Sequence, residues 1–333
     1  MDGRAGQSRC GKRKCYSGSK FNCAPYNKAM IKENTILVLG AGASRPYGLP
    51  SARELRDEVV RIRGTVWRNP IMDVGFKYGQ YEEFADDLAN SGYESVDAFL
   101  EDRQQYIEIG KAAIALNLLK FESPSALFPP KQPRDHWYEV LWYKMKAPTW
   151  ASFKKNALAV ITFNYDRSLE HYLTTVVCNN YGIKAATAAQ GLRLLPILHV
   201  HGILGEYAAP PYADYPYGRR VDSQLLDTAR RCIEIVHESD ASSPSFQKAN
   251  ELLKNAQKVI FIGFGYRDSN MNKLGILPVS AGCKGHLEGK TVGCTHKGFK
   301  SSPWKDLCHK YGFPNESGSS GTGSVCEFLS EWL

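Results

Sequence analysis

The sequence predicts an α/β protein with a doubly wound, mostly parallel, Rossmann-like sheet and a helical insertion. Two observations predict this class. Short apolar runs that end in glycine or polar residues alternate with stretches of helical periodicity, as in βαβ units that form a parallel sheet. Between about 66 and 150 this alternation stops, and apolar residues recur only at helical spacing. In such sheets, ligands bind beyond the carboxyl ends of the strands.

Short apolar runs mark the predicted strands. The first run, Thr35–Leu39, is apolar after its threonine and stops at Gly40, which is typical of a buried parallel strand. Further strands are predicted at 158–163, 196–201, 232–236, 258–262 and 290–294.

The predicted helices lie between these strands and within the insertion. Ser51 and Glu54 form a capping box at the start of the first helix, and Gly64 follows its last apolar position. Apolar spacing in the insertion predicts a helix around 81–88, a longer one from 96 towards 121, and an aromatic-rich one near 137–145. Later helices are predicted around 169–177, 246–256 and 304–311.

These elements divide the chain into three parts. Residues 1–33 form a basic tail rich in Gly, Ser and Lys, which we expect to be disordered. Residues 34–65 and 151–333 together form the α/β domain, and residues 66–150 form the helical insertion.

Composition narrows the classes of protein. No apolar run approaches the roughly 20 residues of a membrane helix, and the N-terminus lacks the apolar stretch of a secretory signal. We therefore expect a cytoplasmic protein without membrane contact. The net charge is +8, but six basic residues precede position 21, so direct nucleic-acid binding is not expected. The tail is either solvated or a contact for an acidic partner.

The cysteines do not predict a metal site. The chain has nine, an odd number, and no two are spaced C-x-x-C as a zinc ribbon requires. His199 and His201 lie two apart on a predicted strand, but no third ligand accompanies them. We therefore expect free thiols and no bound metal.

A glycine-rich turn, Gly40–Ser44, directly follows the first predicted strand. Glycines there allow the backbone to approach a pyrophosphate, whose oxygens exposed N–H groups can bind. A dehydrogenase fingerprint would place a third glycine where this chain has Arg45, and an acid where the second strand ends in Asn164. Hydride transfer is therefore disfavoured, whereas a tight turn without a ligand stays open.

Polar side chains follow the later strands. Asn164 can hold a ribose hydroxyl or orient a water, and Asp166 can fix that amide, or the two can serve only as a turn and a helix cap. His201 stands at a strand end, where a general base can reach a sugar hydroxyl, while His199 is expected to be a hydrogen-bonded core residue. Gly263–Gly265, with Phe264 between, can pack against a ribose, and Gly293–Thr295 can line an adenine.

Taken together, these segments resemble the sirtuin-like family of NAD-consuming enzymes. Gly40–Ser44 matches its G-A-G-x-S turn, and Gly48–Pro50 with Arg53 matches the segment that follows. Phe163–Asp166 resembles the family's Q-N-x-D segment, His201–Gly202 its H-G pair, and Ile262–Gly265 occupies the place of its late G-[TS]-S turn. The resemblance spans about 34 to 295.

The resemblance implies a role for each matching residue. Ala41, Gly42 and Ser44 would contact phosphate, with Gly40 and Arg53 in the same NAD-binding segment. Asn164 would position the nicotinamide ribose and the attacking water, Asp166 would support Asn164, and His201 would act as the base. The bond to nicotinamide would break through an oxocarbenium-like state that aimed dipoles stabilise.

Departures from the family pattern select one branch of it. Ser51 and Ala52 stand where protein-deacylating sirtuins have Asp and Phe, and their four-cysteine zinc module is absent. The pattern resembles the prokaryotic branch associated with NAD depletion in antiphage defence. It implies an NAD hydrolase that yields nicotinamide and ADP-ribose, assembled as a homo-oligomer or with an ATPase or sensor partner. The alternatives are an NAD-dependent protein deacylase and a non-catalytic sensor of NAD or ADP-ribose.

Overall fold

A computed structural model of the chain describes residues 30–131, 135–205, 216–235, 242–282, 285–296, 300–313 and 324–333. Most of the predicted tail, residues 1–29, lies outside these described residues. Among these residues, no helix has the length and apolar character needed to span a membrane.

A parallel sheet of five strands forms the centre of the described structure, in the order β3-β2-β1-β4-β5. The strands are β1 Thr35–Leu39, β2 Leu158–Thr162, β3 Ile197–His199, β4 Lys258–Ile262 and β5 Thr291–Cys294. All four pairings are parallel. The chain runs outward from β1 to β3 and then returns to the other side of β1, which is the order of a Rossmann-like sheet. The predicted α/β fold class is confirmed.

Helices cover both faces of the sheet because each central strand is apolar on both sides. Leu37 and Leu39 of β1 face one apolar cluster, while Ile36 and Val38 face the other. The described α-helices are α1 Ala52–Arg61, α2 Asn69–Asp73, α3 Tyr78–Asn90, α4 Val96–Asp102, α5 Ile107–Phe121, α6 Pro124–Leu127, α7 Trp137–Met145, α8 Trp150–Phe153, α9 Ser168–Tyr181, α10 Ala185–Leu192, α11 Ser223–Arg231, α12 Pro244–Asn255, α13 Asp268–Lys273, α14 Ser301–Tyr311 and α15 Val325–Trp332. Side chains of α12, α13 and α14 form the second cluster, and α1, α5, α7, α9 and α11 contribute to the first.

The helices predicted in the insertion pack into the core of the sheet. Phe84 of α3, Leu116 of α5 and Leu141 of α7 belong to the same apolar cluster as Leu37. Trp137 and Trp142 are also buried there. These two tryptophans are therefore core residues rather than a contact surface, whereas Tyr143 beside them is 41% exposed.

One predicted helix of the insertion differs from the structure. The long helix predicted from 96 towards 121 is divided, because Arg103 has a non-helical backbone conformation between α4 and α5. The break lets α4 fold back against α5, where Leu100 lies so close to Gly110 that a Cβ atom at Gly110 would be 2.5 Å from it. By contrast, the capping box of Ser51 and Glu54 at the start of α1 is confirmed.

The strand predicted at 232–236 is wrong for its described residues, 232–235. Cys232 ends α11, and only an isolated bridge joins Ile233 to Gly202. Gly202 has a φ of 77°, and a Cβ atom there would lie 2.0 Å from Cys232 O. This left-handed turn bends the chain after His201, so no ladder extends. The third strand correspondingly stops at His199 rather than at the predicted His201.

Candidate functional site at the switch point of the sheet

The turns after β1 and β4 meet backbone to backbone, at the point where the strand order reverses. Gly40 N donates to Ile262 O at 3.0 Å, and Gly42 N donates to Gly263 O at 3.1 Å. A Cβ atom at Gly40 would lie 2.5 Å from Gly263 O, and one at Gly263 would lie 2.1 Å from Ala43 N. Glycine is therefore required here by the packing of the two turns against each other.

The N–H groups of the first turn are largely used within the protein. Besides those of Gly40 and Gly42, Ala43 N donates to Gly40 O at 2.9 Å and Ser44 N to Ala41 O at 3.2 Å. The N–H groups of Gly40, Gly42, Ala43 and Ser44 are therefore already hydrogen-bonded and are not free to bind a pyrophosphate. Gly40, Ala41, Gly42 and Ser44 nevertheless line a cavity, and their contact with a ligand stays a prediction.

Asn164 is fixed by the first turn. Its Nδ2 donates to Gly40 O at 3.0 Å and to Ser44 Oγ at 3.0 Å, and its backbone N–H donates to Thr162 Oγ1. Because a carbonyl oxygen only accepts, the bond to Gly40 assigns the nitrogen to this side of the amide. The other side is Oδ1, a buried atom with no hydrogen-bond partner among the described residues.

Asp166 accepts hydrogen bonds from both sides. Ser44 Oγ donates to Oδ2 at 2.8 Å, while the N–H of Ser168 donates to Oδ1 at 3.1 Å and the Ser168 hydroxyl donates to the same oxygen. Asp166 therefore both supports the first turn of α9 and holds Ser44, so the two roles considered from the sequence coexist. Burial raises the pKa of Asp166, against the opposing effect of the hydrogen bonds from Ser168 and Ser44.

His199 is a hydrogen-bonded residue of the core, as expected. Its Nδ1 lies 2.7 Å from Asn164 O and its Nε2 lies 2.7 Å from Glu170 Oε1. Burial lowers the pKa of His199, but the Glu170 carboxylate and the Asn164 carbonyl outweigh burial, and the net pKa is raised. Both ring nitrogens lie against acceptors, so the contact of Nδ1 with Asn164 O helps to hold the backbone of Asn164.

His201 lies in the cavity wall and is 4% exposed. Its ring contacts those of Phe163 and Phe246 edge to face, at centroid distances of 5.3 Å and 5.6 Å. Burial, with the charge of Lys273, lowers the pKa of His201 to about 4. The imidazole is therefore neutral at pH 7 and able to accept a proton. Its backbone is held because Glu234 N donates to His201 O at 2.8 Å.

A cavity of about 430 Å³ joins these residues, within the range of ligand sites in proteins. Most of the predicted site residues line it: Gly40, Ala41, Gly42, Ser44, Arg53, Asn164, Asp166, His201, Gly263, Phe264 and Gly265. Phe264 is buried with its ring 5.0 Å from that of Phe163, and Gly265 has open space around it. Gly293–Thr295 do not join the lining; instead Thr295 Oγ1 accepts from Gly263 N at 2.9 Å.

Charged residues that the sequence did not single out also line the cavity. Arg267 follows the β4 turn and adds a second exposed guanidinium to that of Arg53. Glu94, Asp97 and Glu101 come from α4 and the segment before it. Tyr165 OH donates to Asp97 Oδ1 at 2.6 Å, and burial raises the pKa of Asp97. Of these four residues, only Arg267 could have been predicted from the sequence, because it closely follows the Gly263–Gly265 turn.

Among the described residues, no group of three or more His, Cys, Asp or Glu side chains is arranged to hold a metal ion. The cysteines in this part of the chain, Cys178, Cys232, Cys294, Cys308 and Cys326, are free thiols. That the protein needs no metal stays a prediction, which elemental analysis of chelator-treated protein would check.

Fold and site define an α/β protein of Rossmann-like architecture with a cavity at its switch point whose lining includes several charged residues. No protein-family model matches the chain, and no curated protein matches it significantly.

Proposed function

We propose that the protein is an NAD hydrolase that cleaves the bond between nicotinamide and ribose, giving nicotinamide and ADP-ribose. The observation that carries this proposal is the fixed amide of Asn164. Its Nδ2 is held by Gly40 O and Ser44 Oγ, which leaves Oδ1 as a buried acceptor in the same cavity as a neutral His201. An acceptor for a ribose hydroxyl or a water beside a neutral base suits hydrolysis at a sugar carbon.

The cavity contains groups suited to the phosphates and to the nicotinamide ribose of a dinucleotide. Arg53 and Arg267 neutralise the two phosphates, since guanidinium groups match phosphate geometry. Asn164 Oδ1 accepts a hydrogen bond from the nicotinamide ribose or from the attacking water. The glycosidic bond breaks, its electron pair leaves with nicotinamide, and water adds to the ribose carbon. His201 accepts the proton that the water releases, directly or through a ribose hydroxyl.

The resemblance to the sirtuin-like family supports the same assignment. Gly40–Ser44, Asn164, Asp166 and His201 occur in the family's order along the chain, and all of them line the cavity. We therefore propose membership of the prokaryotic NAD-consuming branch, with NAD as the substrate rather than a retained cofactor.

Incubation of the purified chain with NAD, followed by separation of the products, tests the proposal. We expect nicotinamide and ADP-ribose in equal amounts without an added acyl-peptide. Release of nicotinamide only when an acylated peptide is present would identify a protein deacylase instead. Binding of NAD or ADP-ribose without turnover under any condition would identify a sensor and refute the hydrolase.

We also propose that activity depends on assembly, as a homo-oligomer or with an ATPase or sensor protein, and serves antiphage defence by NAD depletion. The reason is that a constantly active NAD hydrolase would deplete the NAD of the cell that makes it. Turnover per subunit, measured across a wide range of protein concentrations alongside sizing, should rise as oligomers form. Full activity in a lone monomer at every concentration would contradict dependence on self-assembly. Infection of bacteria that express the chain should lower cellular NAD more than infection of cells with the His201→Ala variant.

A further inference from the structure

Tyr138 of α7, an aromatic residue of the predicted insertion, reaches the Asn164 site through hydrogen bonds. Its hydroxyl lies 2.7 Å from Ser168 Oγ, and Ser168 donates to Asp166 Oδ1. On the opposite oxygen, Asp166 accepts from Ser44, which in turn accepts from Asn164 Nδ2. A continuous chain of side chains thus runs from α7 to the amide.

The protons along this chain have only one consistent arrangement. Ser168 has a single hydroxyl proton, which it gives to Asp166, so Tyr138 must donate to Ser168. Ser44 likewise gives its proton to Asp166 and accepts from Asn164. Every donor therefore points towards the Asp166 carboxylate. Burial, with the nearby Asp166 charge, raises the pKa of Tyr138 well above its ordinary value, which keeps this donor protonated.

Tyr138 itself is held rigidly. Its ring stacks on that of Tyr47 with centroids 3.8 Å apart, and its backbone N–H donates to Tyr47 OH at 2.7 Å. The neighbouring Trp137 donates from Nε1 to Ala43 O at 2.8 Å. The start of α7 is therefore fixed to the glycine turn as well as to Ser168.

We propose that Tyr138 is a positioning residue that orders Ser168 and Asp166 and thereby holds Asn164 Oδ1 towards the cavity. The proposal deepens the hydrolase assignment and rests on it for its effect on turnover. The hydroxyl of Tyr138 touches no predicted substrate position. Its contribution is to donate to Ser168 Oγ, so that the Ser168 hydroxyl keeps its own hydrogen bond to Asp166 and the Asn164 amide cannot flip.

Tyr138→Phe tests the hydroxyl while keeping the ring that stacks on Tyr47. We expect kcat for NAD cleavage to fall by about 10-fold or more, since small misplacements of a reacting group are costly, with KM within about 2-fold. Ser168→Ala should give a similar loss, and the double variant should lose no more than the larger single loss, because both act through one chain. Tyr181→Phe is the matched control: its hydroxyl also bonds the protein, at Ala147 O, but lies outside this chain.

A second measurement does not depend on activity. In protein labelled with ¹⁵N-asparagine, the side-chain N–H₂ signal of Asn164, assigned by its loss in Asn164→Ala, should be protected from solvent exchange. We expect this protection to fall in Tyr138→Phe and to persist in Tyr181→Phe. If Tyr138→Phe and Ser168→Ala both kept wild-type kcat and wild-type protection of Asn164, the positioning role would be overturned. If the wild type cleaved no NAD but the protection changed as expected, the hydrolase assignment alone would fail.

Discussion

Asn164 Nδ2 donates to Gly40 O at 3.0 Å, and this bond joins the carboxyl ends of two neighbouring strands. Gly40 follows β1, Asn164 follows β2, and the two residues are 124 positions apart along the chain. Because the acceptor is a backbone carbonyl, the orientation of the amide is set by the fold rather than by the ligand. The cavity is thus preorganised at the group that we propose contacts the substrate.

Replacement of either predicted catalytic residue should abolish most of the activity. We expect Asn164→Ala and His201→Ala each to lower NAD turnover by about 100-fold or more, the usual scale for a group that moves or orients a proton. The measurement is kcat from product formation under single-turnover and steady-state conditions. Exposed residues of the same types, in the variants Asn179→Ala and His309→Ala, are the controls and should keep wild-type turnover. Near-normal cleavage by His201→Ala would remove His201 from the mechanism.

The sequence was informative wherever local pattern decides structure. Thr35–Leu39 and Lys258–Ile262 are strands as predicted, because short apolar runs that end in a glycine turn are typical of buried parallel strands. The Ser51 capping box was equally local. By contrast, Cys232–Ile235 has the apolar composition of a strand, yet the left-handed Gly202 beside it prevents a ladder. A buried segment that forms no ladder has the same apolar composition as a strand, so the sequence pattern could not distinguish the two.

The site residues at the ends of the strands could be predicted from the sequence, but those that helices bring to the cavity could not. Parallel strands bring their carboxyl ends to one edge, so Gly40, Asn164 and His201 could be placed together from their positions alone. Asp97 and Glu101 could not, because they reach the cavity only through the packing of α4 on the core. The role of Tyr138 was hidden for the same reason, since nothing local relates α7 to Ser168.

The packing of the two glycine turns predicts a large loss of stability in Gly263→Ala. The new Cβ atom would lie 2.1 Å from Ala43 N at a residue whose φ is 57°. Conformational strain and overpacking together should lower the free energy of unfolding by about 3 kcal/mol. Gly289→Ala is the control for conformation alone, because its φ is 69° and no atom lies within 4 Å of the added carbon. Equal losses in denaturant unfolding of the two variants would show that the turns yield to the clash.

The ion pair of Arg167 and Glu122 should matter far more than any surface pair. It is bidentate, with Nε to Oε1 at 2.9 Å and Nη2 to Oε2 at 2.7 Å, and both side chains are buried. Glu122→Gln would remove the negative charge that pairs with the buried Arg167 guanidinium, so we expect a loss of about 3 to 5 kcal/mol in unfolding free energy. Glu58→Gln, which removes the partner of the exposed Arg61, should cost far less. A small effect of Glu122→Gln would mean that Arg167 finds another acceptor.

The pH dependence of turnover should reveal the burial of His201. A base must be neutral to accept a proton, and burial together with Lys273 lowers the pKa of His201 to about 4. Activity is therefore expected to persist as pH falls through 6.5 and to be lost only near pH 4, where the ring becomes charged. Removing the nearby positive charge in Lys273→Met favours the charged ring, so it should raise that pKa and move the acid limb of kcat/KM to higher pH. Titration of the His201 ring signals by NMR gives the same pKa independently of catalysis. An acid limb near 6.5 in the wild type would mean that the group controlling activity is not the buried His201.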